Sequence, residues 1–276
     1  MAATTHSLFR DYDGAGYPRT VTNSELTMNI RALLLGVSVA GFAGNLPAHD
    51  LWLTSAPSGS QLVATIFFGE TNRRDLPVVQ RLAYVEVIGD KGTASLQTAP
   101  FTEQKSNNSL LTPPFDPPGP NAVMAASYDN GYWLATPQGS RNVSRRLIPQ
   151  GTNTRWVAKF AKTLMGPGAY TRVLGQELEL VALEDPFTLA GGKALQVRVQ
   201  LRGKPVTDAK VRILDGVTVM DPKDAKSVPT DASGVAKVPL DRRGLYVLAV
   251  EYVTPAESPV LADRDEFNST LVFTLQ

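Results

Sequence analysis

From residue 49 onward the chain is a succession of short apolar stretches, each closed by turn-forming glycine, proline, asparagine or aspartate. Residues 49–54, His-Asp-Leu-Trp-Leu-Thr, alternate as one strand of a pleated sheet requires. After the turn Pro57-Ser58-Gly59, residues 61–68 are apolar on both faces, which suits a central strand of a sandwich. Residues 82–88 read as a further strand, closed by Gly89-Asp90-Lys91-Gly92.

Residues 99–121 read as loop, because the run from Pro113 to Pro120 is too rich in proline to donate to a ladder. A strand follows at 122–128, and Asp129-Asn130 reads as a turn towards residues 131–135. Residues 155–165 place Trp156, Phe160, Thr163 and Leu164 on one side of a helix, with Gly166-Pro167-Gly168 as its stop. Beyond strand 177–183, Glu184-Asp185-Pro186 reads as an interdomain turn. The remaining strands, at 195–201, 209–214, 235–240, 245–250 and 268–275, are short, alternating or doubly apolar, and joined by tight turns. The expectation is an all-β chain of two consecutive β-sandwich domains, 49–185 and 186–276, with one short helix. A length of 276 residues agrees with two domains of roughly 100–200 each.

The start of the chain reads differently. Arg31 precedes an uncharged apolar run, residues 32–43, too short for the ~20 residues of a spanning helix. Small residues and Pro47 follow, so residues 28–48 read as an export signal. Cleavage after Ala48 would make His49 the first residue; cleavage after Ala43 is the alternative. Residues 1–27 are polar and precede the positive region, so they read as a disordered or unused extension, with Met28 the initiator. A periplasmic or secreted location follows, with no membrane span in the mature chain.

Charge excludes one class of partner. The balance of 27 Lys and Arg against 26 Asp and Glu leaves no net field for nucleic acid, and residues 1–48 carry three of each sign. With no cysteine, neither a disulfide framework nor a zinc–thiolate site is possible. No Gly-x-Ser-x-Gly elbow is present, and no carboxylate pair is assignable to acid–base work, so no enzyme is expected.

Several stretches occur in a familiar order: Ala48-His49-Asp50-Leu51-Trp52-Leu53, then Gly131-Tyr132-Trp133, then Trp156 with Lys159-Phe160-Ala161-Lys162. Leu174-Gly175-Gln176-Glu177-Leu178 and Asp185-Pro186 follow, and then Gly203-Lys204-Pro205-Val206, Thr230-Asp231-Ala232-Ser233-Gly234 and Asn268-Ser269-Thr270-Leu271. Together they resemble a bacterial periplasmic family of unknown function associated with nickel- or cobalt-uptake accessory subunits. The C-terminal part separately resembles prealbumin-like modules of the carboxypeptidase-regulatory type. The resemblance covers essentially all of residues 49–276. It implies a metal contact at His49 and a membrane transporter or outer-membrane receptor as partner. The chain departs from a metal-binding pattern in one respect: of its two histidines, only His49 lies in this region.

A terminal His49 would offer its α-amine and ring Nδ1 to Ni, Co, Cu or Zn. Asp50 is the neighbouring carboxylate, although strand alternation turns it to the opposite face. A histidine-brace copper oxygenase would need a second histidine in the mature chain. Asp231 to Gly234 reads as a hairpin turn rather than a calcium loop, and Asp263, Asp265 and Glu266 as a solvated loop. Trp52, Tyr132 and Trp133 read as core aromatics or as a stacking platform. Two functions remain: a non-catalytic metal-binding or metal-uptake accessory protein using His49, or a structural or ligand-binding module for carbohydrate or a protein partner.

Overall fold

Strand β1 (Asp50–Ser58) returns as β2 (Gln61–Gly69), with Leu53 opposite Ile66 and Ser58 opposite Gln61. The two-residue turn between them needs a positive φ, which Gly59 supplies at +64°. This computed structural model describes residues 49–70, 73–189, 192–216 and 225–276. The expected extension 1–27 and export signal 28–48 lie outside them. Further strands follow in chain order. They are β3 (Arg74–Asp75), β4 (Leu82–Gly89), β5 (Gly92–Ser95), β6 (Thr102–Gln104), β7 (Ser109–Leu111), β8 (Val123–Thr136), β9 (Gly139–Arg141) and β10 (Thr152–Leu164). The second half supplies β11 (Leu178–Ala182), β12 (Ala194–Leu201), β13 (Lys204–Pro205), β14 (Lys210–Leu214), β15 (Ser227–Pro229), β16 (Val235–Pro239), β17 (Gly244–Pro255) and β18 (Arg264–Leu275).

The all-β class is therefore correct, but the helix is not. Residues 155–165 belong to β10, a strand at the centre of the molecule. Trp156, Phe160 and Leu164 are four apart, a spacing that also puts them on one face of a strand, because all are even-numbered. Lys159 and Lys162 gave the segment its amphipathic look, yet both are buried, on opposite faces of the sheet. Among the described residues only two short 3₁₀ turns interrupt the strands, Val79–Arg81 and Ala169–Thr171. No helix among the described residues is long and apolar enough to cross a membrane.

Two loop readings are also corrected. Within 99–121, β6 and β7 extend the sheet of β1 and β2, and only the proline-rich part stays outside regular pairing, anchored by a bridge from Phe115 to Leu62. Asp129-Asn130 is not a chain reversal. β8 runs through it with a bulge against β10, Asp129 facing Ala158 and Gly131 facing Val157. Gly131 takes a φ of +75°, and Asp129 Oδ1 accepts from its N–H at 2.9 Å. The bulge leaves Asn130 as the extra residue.

The largest sheet has nine strands in the order β15-β14-β17-β18-β10-β8-β4-β5, with β9 on β8. β10 and β18 are parallel neighbours at its centre, Val157 beside Glu266 and Lys159 beside Asn268. This pairing runs across the expected 185/186 boundary. Strands from both sides of it build one sheet, and the described residues fall within one unit. On one face of the sheet, Ala161, Met124 and Val87 pack against Leu51, Leu53 and Ile66 of the β1–β2 layer. On the other, Phe160, Leu271 and Leu248 pack against Leu180, Val197 and Val199 of the four-stranded sheet formed by β11, β12, β13 and β16. Sequence periodicity registers each strand's burial but not which strands share a sheet.

Candidate functional site

The parallel pairing of β10 with β18 lines up four side chains, Val157, Lys159, Glu266 and Asn268, along one wall of a cavity of about 220 Å³. The β8 bulge contributes Asn130 and, further along the strand, Trp133; β9 adds Ser140. Arg155, Arg73 and His49 complete the lining. The start of β1 crosses this face of the large sheet, held by Thr270 Oγ1 donating to the Leu51 carbonyl at 2.6 Å and by Thr163 Oγ1 donating to that of Leu53 at 2.8 Å. His49 therefore stands at a fixed point beside the cavity.

Its ring leans on Phe68, centroids 5.3 Å apart, and Nε2 lies 3.6 Å from Asp75 Oδ2. That is an ion-pair distance rather than a hydrogen bond, and Nε2 has no hydrogen-bond partner. Burial lowers the imidazole pKa; Asp75 opposes the shift, while Lys159 and Arg73 add to it. The ring is thus neutral at pH 7 and has a nitrogen lone pair to offer. Asp50 is differently committed. It is 2% exposed and accepts from Arg212 at 2.9 Å. The structure brings Asp75, not Asp50, to the imidazole. Asp75 sits on β3, reached by pairing with Phe68 across β2, a relation no local spacing reports.

A set of buried charges surrounds the cavity. Lys159 is 2% exposed and donates from Nζ to Asn268 Oδ1 at 2.9 Å. Burial lowers its pKa to about 8, against the pull of Asp50, Glu266 and Glu251. Arg155 pairs with Glu266 at 2.9 Å. Outside the cavity lining, Glu251 on β17 has its carboxyl pKa raised by desolvation, reinforced by Glu266. None of Lys159, Arg155, Glu251 or Asn268 stands out in the sequence, because a buried lysine inside an apolar run looks like the polar side of a helix.

Of the other candidates, only Glu266 and Trp133 reach the cavity. Asp263 is held by Thr154 and Arg145, Asp265 accepts from the Glu257 N–H, and Glu266 faces Arg155. Asp231 closes its own turn by accepting from the N–H groups of Ser233 and Val235. Trp52 stacks on Phe67 within the core, whereas Trp133 lines the cavity. Among the described residues no three His, Asp or Glu side chains converge as a metal cage.

The profile of the family described as Domain of unknown function (DUF4198) matches residues 46–254. The chain belongs to this family. No curated protein matches it. The DUF4198 match takes in His49, Asp75 and Lys159 and stops short of β18, which supplies Glu266 and Asn268.

Proposed function

We propose that this DUF4198 protein is an exported, non-catalytic metal-binding protein of the periplasm. It presents a transition-metal ion at His49 and hands it to a membrane transporter or outer-membrane receptor. The donors are the α-amine freed by cleavage after Ala48 and the His49 Nδ1. The observation that carries this reading is the neutral imidazole fixed beside the cavity with Nε2 facing Asp75. A carboxylate near the far ring nitrogen favours the tautomer that leaves Nδ1 free and raises its basicity. Lys159 and Arg73 lie near enough to bias the ring electrostatically, so a hard cation that relies on oxygen ligands and a negative field is disfavoured. Nitrogen donors suit Ni, Co, Cu or Zn.

The α-amine titrates near ~8 when unperturbed, so affinity should rise with pH through neutrality as that proton is shed. Calorimetric titration of the purified protein with these four ions, after its intact mass has fixed the first residue, checks the reading. Binding that strengthens from about pH 6 to about pH 8 and disappears in His49→Ala is expected. Affinity unchanged in His49→Ala would sink it.

A further inference from the structure

The cavity beside His49 contains more hydrogen-bond capacity than the protein uses. Asn268 is 2% exposed; its Oδ1 accepts from Lys159, but its Nδ2 has no partner. Lys159 Nζ carries three hydrogens, and the structure gives one of them an acceptor, Asn268 Oδ1. Among the described residues no carboxylate stands within ion-pair distance of that ammonium; Asp50, Glu266 and Glu251 act on it only through their fields. A buried amide N–H left without an acceptor is costly, and so is a buried ammonium with an acceptor for only one of its hydrogens. Such groups persist where something outside the chain completes them.

The lining also fixes the charge and shape of what fits. Arg155 is balanced by Glu266, while Lys159 and Arg73 bring further positive charge, so an anion is favoured. Trp133 and Val157 give the cavity an apolar wall that a bare inorganic ion would not use. Its volume of about 220 Å³ lies below the roughly 300–1,000 Å³ of sites for larger ligands, so the occupant is small. We propose that this cavity is a binding site for a small organic carboxylate, its charged end on Lys159 Nζ and Asn268 Nδ2 and its carbon body against Trp133 and Val157. The site draws on side chains alone and does not depend on a metal at His49.

Calorimetric titration of the EDTA-treated protein with succinate, inorganic phosphate and sulfate tests this. Succinate is expected to bind, at least about tenfold more tightly than either inorganic anion. Asn268→Asp keeps the Oδ1 acceptor for Lys159 but removes the donor and places a negative charge where the carboxylate would lie. It should weaken succinate at least about tenfold without loss of the β-sheet circular-dichroism signal. Lys159→Met should weaken it by at least as much; if that variant does not fold, Asn268→Asp decides. Absence of succinate binding, equal binding by the wild type and folded variants, or tighter binding of phosphate or sulfate would overturn the proposal.

Discussion

Lys159 is a base held uncomfortably in the folded chain. Its ammonium titrates near 8 there and near 10.5 when exposed. Between those values the unfolded chain binds more protons than the folded one, so raising the pH across this window stabilises the fold. The full cost of the buried charge is borne below pH 8. In Lys159→Met that slope is absent. Urea unfolding of both proteins at about pH 8 and about pH 10 should show the wild type gaining on the order of 2 kcal/mol relative to the variant. A constant difference between the two would mean that Lys159 keeps an ordinary pKa when folded. The sequence shows this lysine but not its burial, since lysine is almost never fully buried without a partner. His49 is the opposite case. The signal-like segment before it is what singled it out in the sequence, whereas Asp75 became its neighbour only through strand pairing.

β10 carries the two most deeply buried lysines among the described residues, on opposite faces. Lys159 looks towards the cavity; Lys162, 1% exposed, donates to Glu179 Oε1 at 2.6 Å and so ties β10 to the segment leading into and including β11. Glu179 also accepts from the N–H groups of Leu174 and Gly175, both at 2.9 Å. Removing one partner of such a pair leaves an uncompensated buried charge. Lys162→Met should therefore cost about 3–5 kcal/mol. Adding Glu179→Gln should recover part of it, because the amide oxygen can still serve one backbone donor. Chemical denaturation of the single and double variants measures the coupling, and strictly additive losses would show that the pair is not a unit. The same strand explains the misread helix. Four-residue spacing of large apolar groups cannot separate a helix from a strand buried on both faces, and both lysines of the segment are buried. Strands with one exposed face, such as β12, were legible because Leu195, Val197 and Val199 alternate with more exposed neighbours.

At the scale of the molecule, the parallel contact of β10 with β18 joins the two halves of the chain. The turn at Glu184-Asp185-Pro186 was legible as a turn, but the sharing of one sheet by strands on either side of it was not, because long-range pairing leaves no local mark. Phe160 of the first half and Phe267 and Leu271 of the second lie in one cluster. Unfolding should therefore be a single transition, with calorimetric and van't Hoff enthalpies equal, and fragments ending or starting at 185/186 should not fold alone. Two separated transitions, or a fragment 186–276 with a cooperative melt, would contradict this. The joined sheet also builds the cavity, lined by the neighbouring strands β18, β10 and β8 with the start of β1 beside it. That start matters most. A metal-binding role rests on an amine and an imidazole belonging to the same residue, held against this sheet. The most direct measurement is nickel titration of the protein beginning at His49, set beside a version with one alanine placed ahead of it. The extension leaves the ring, Asp75 and the cavity in place and changes only the amine. Nickel bound by the first and not by the second is the predicted result; equal binding by both would contradict it.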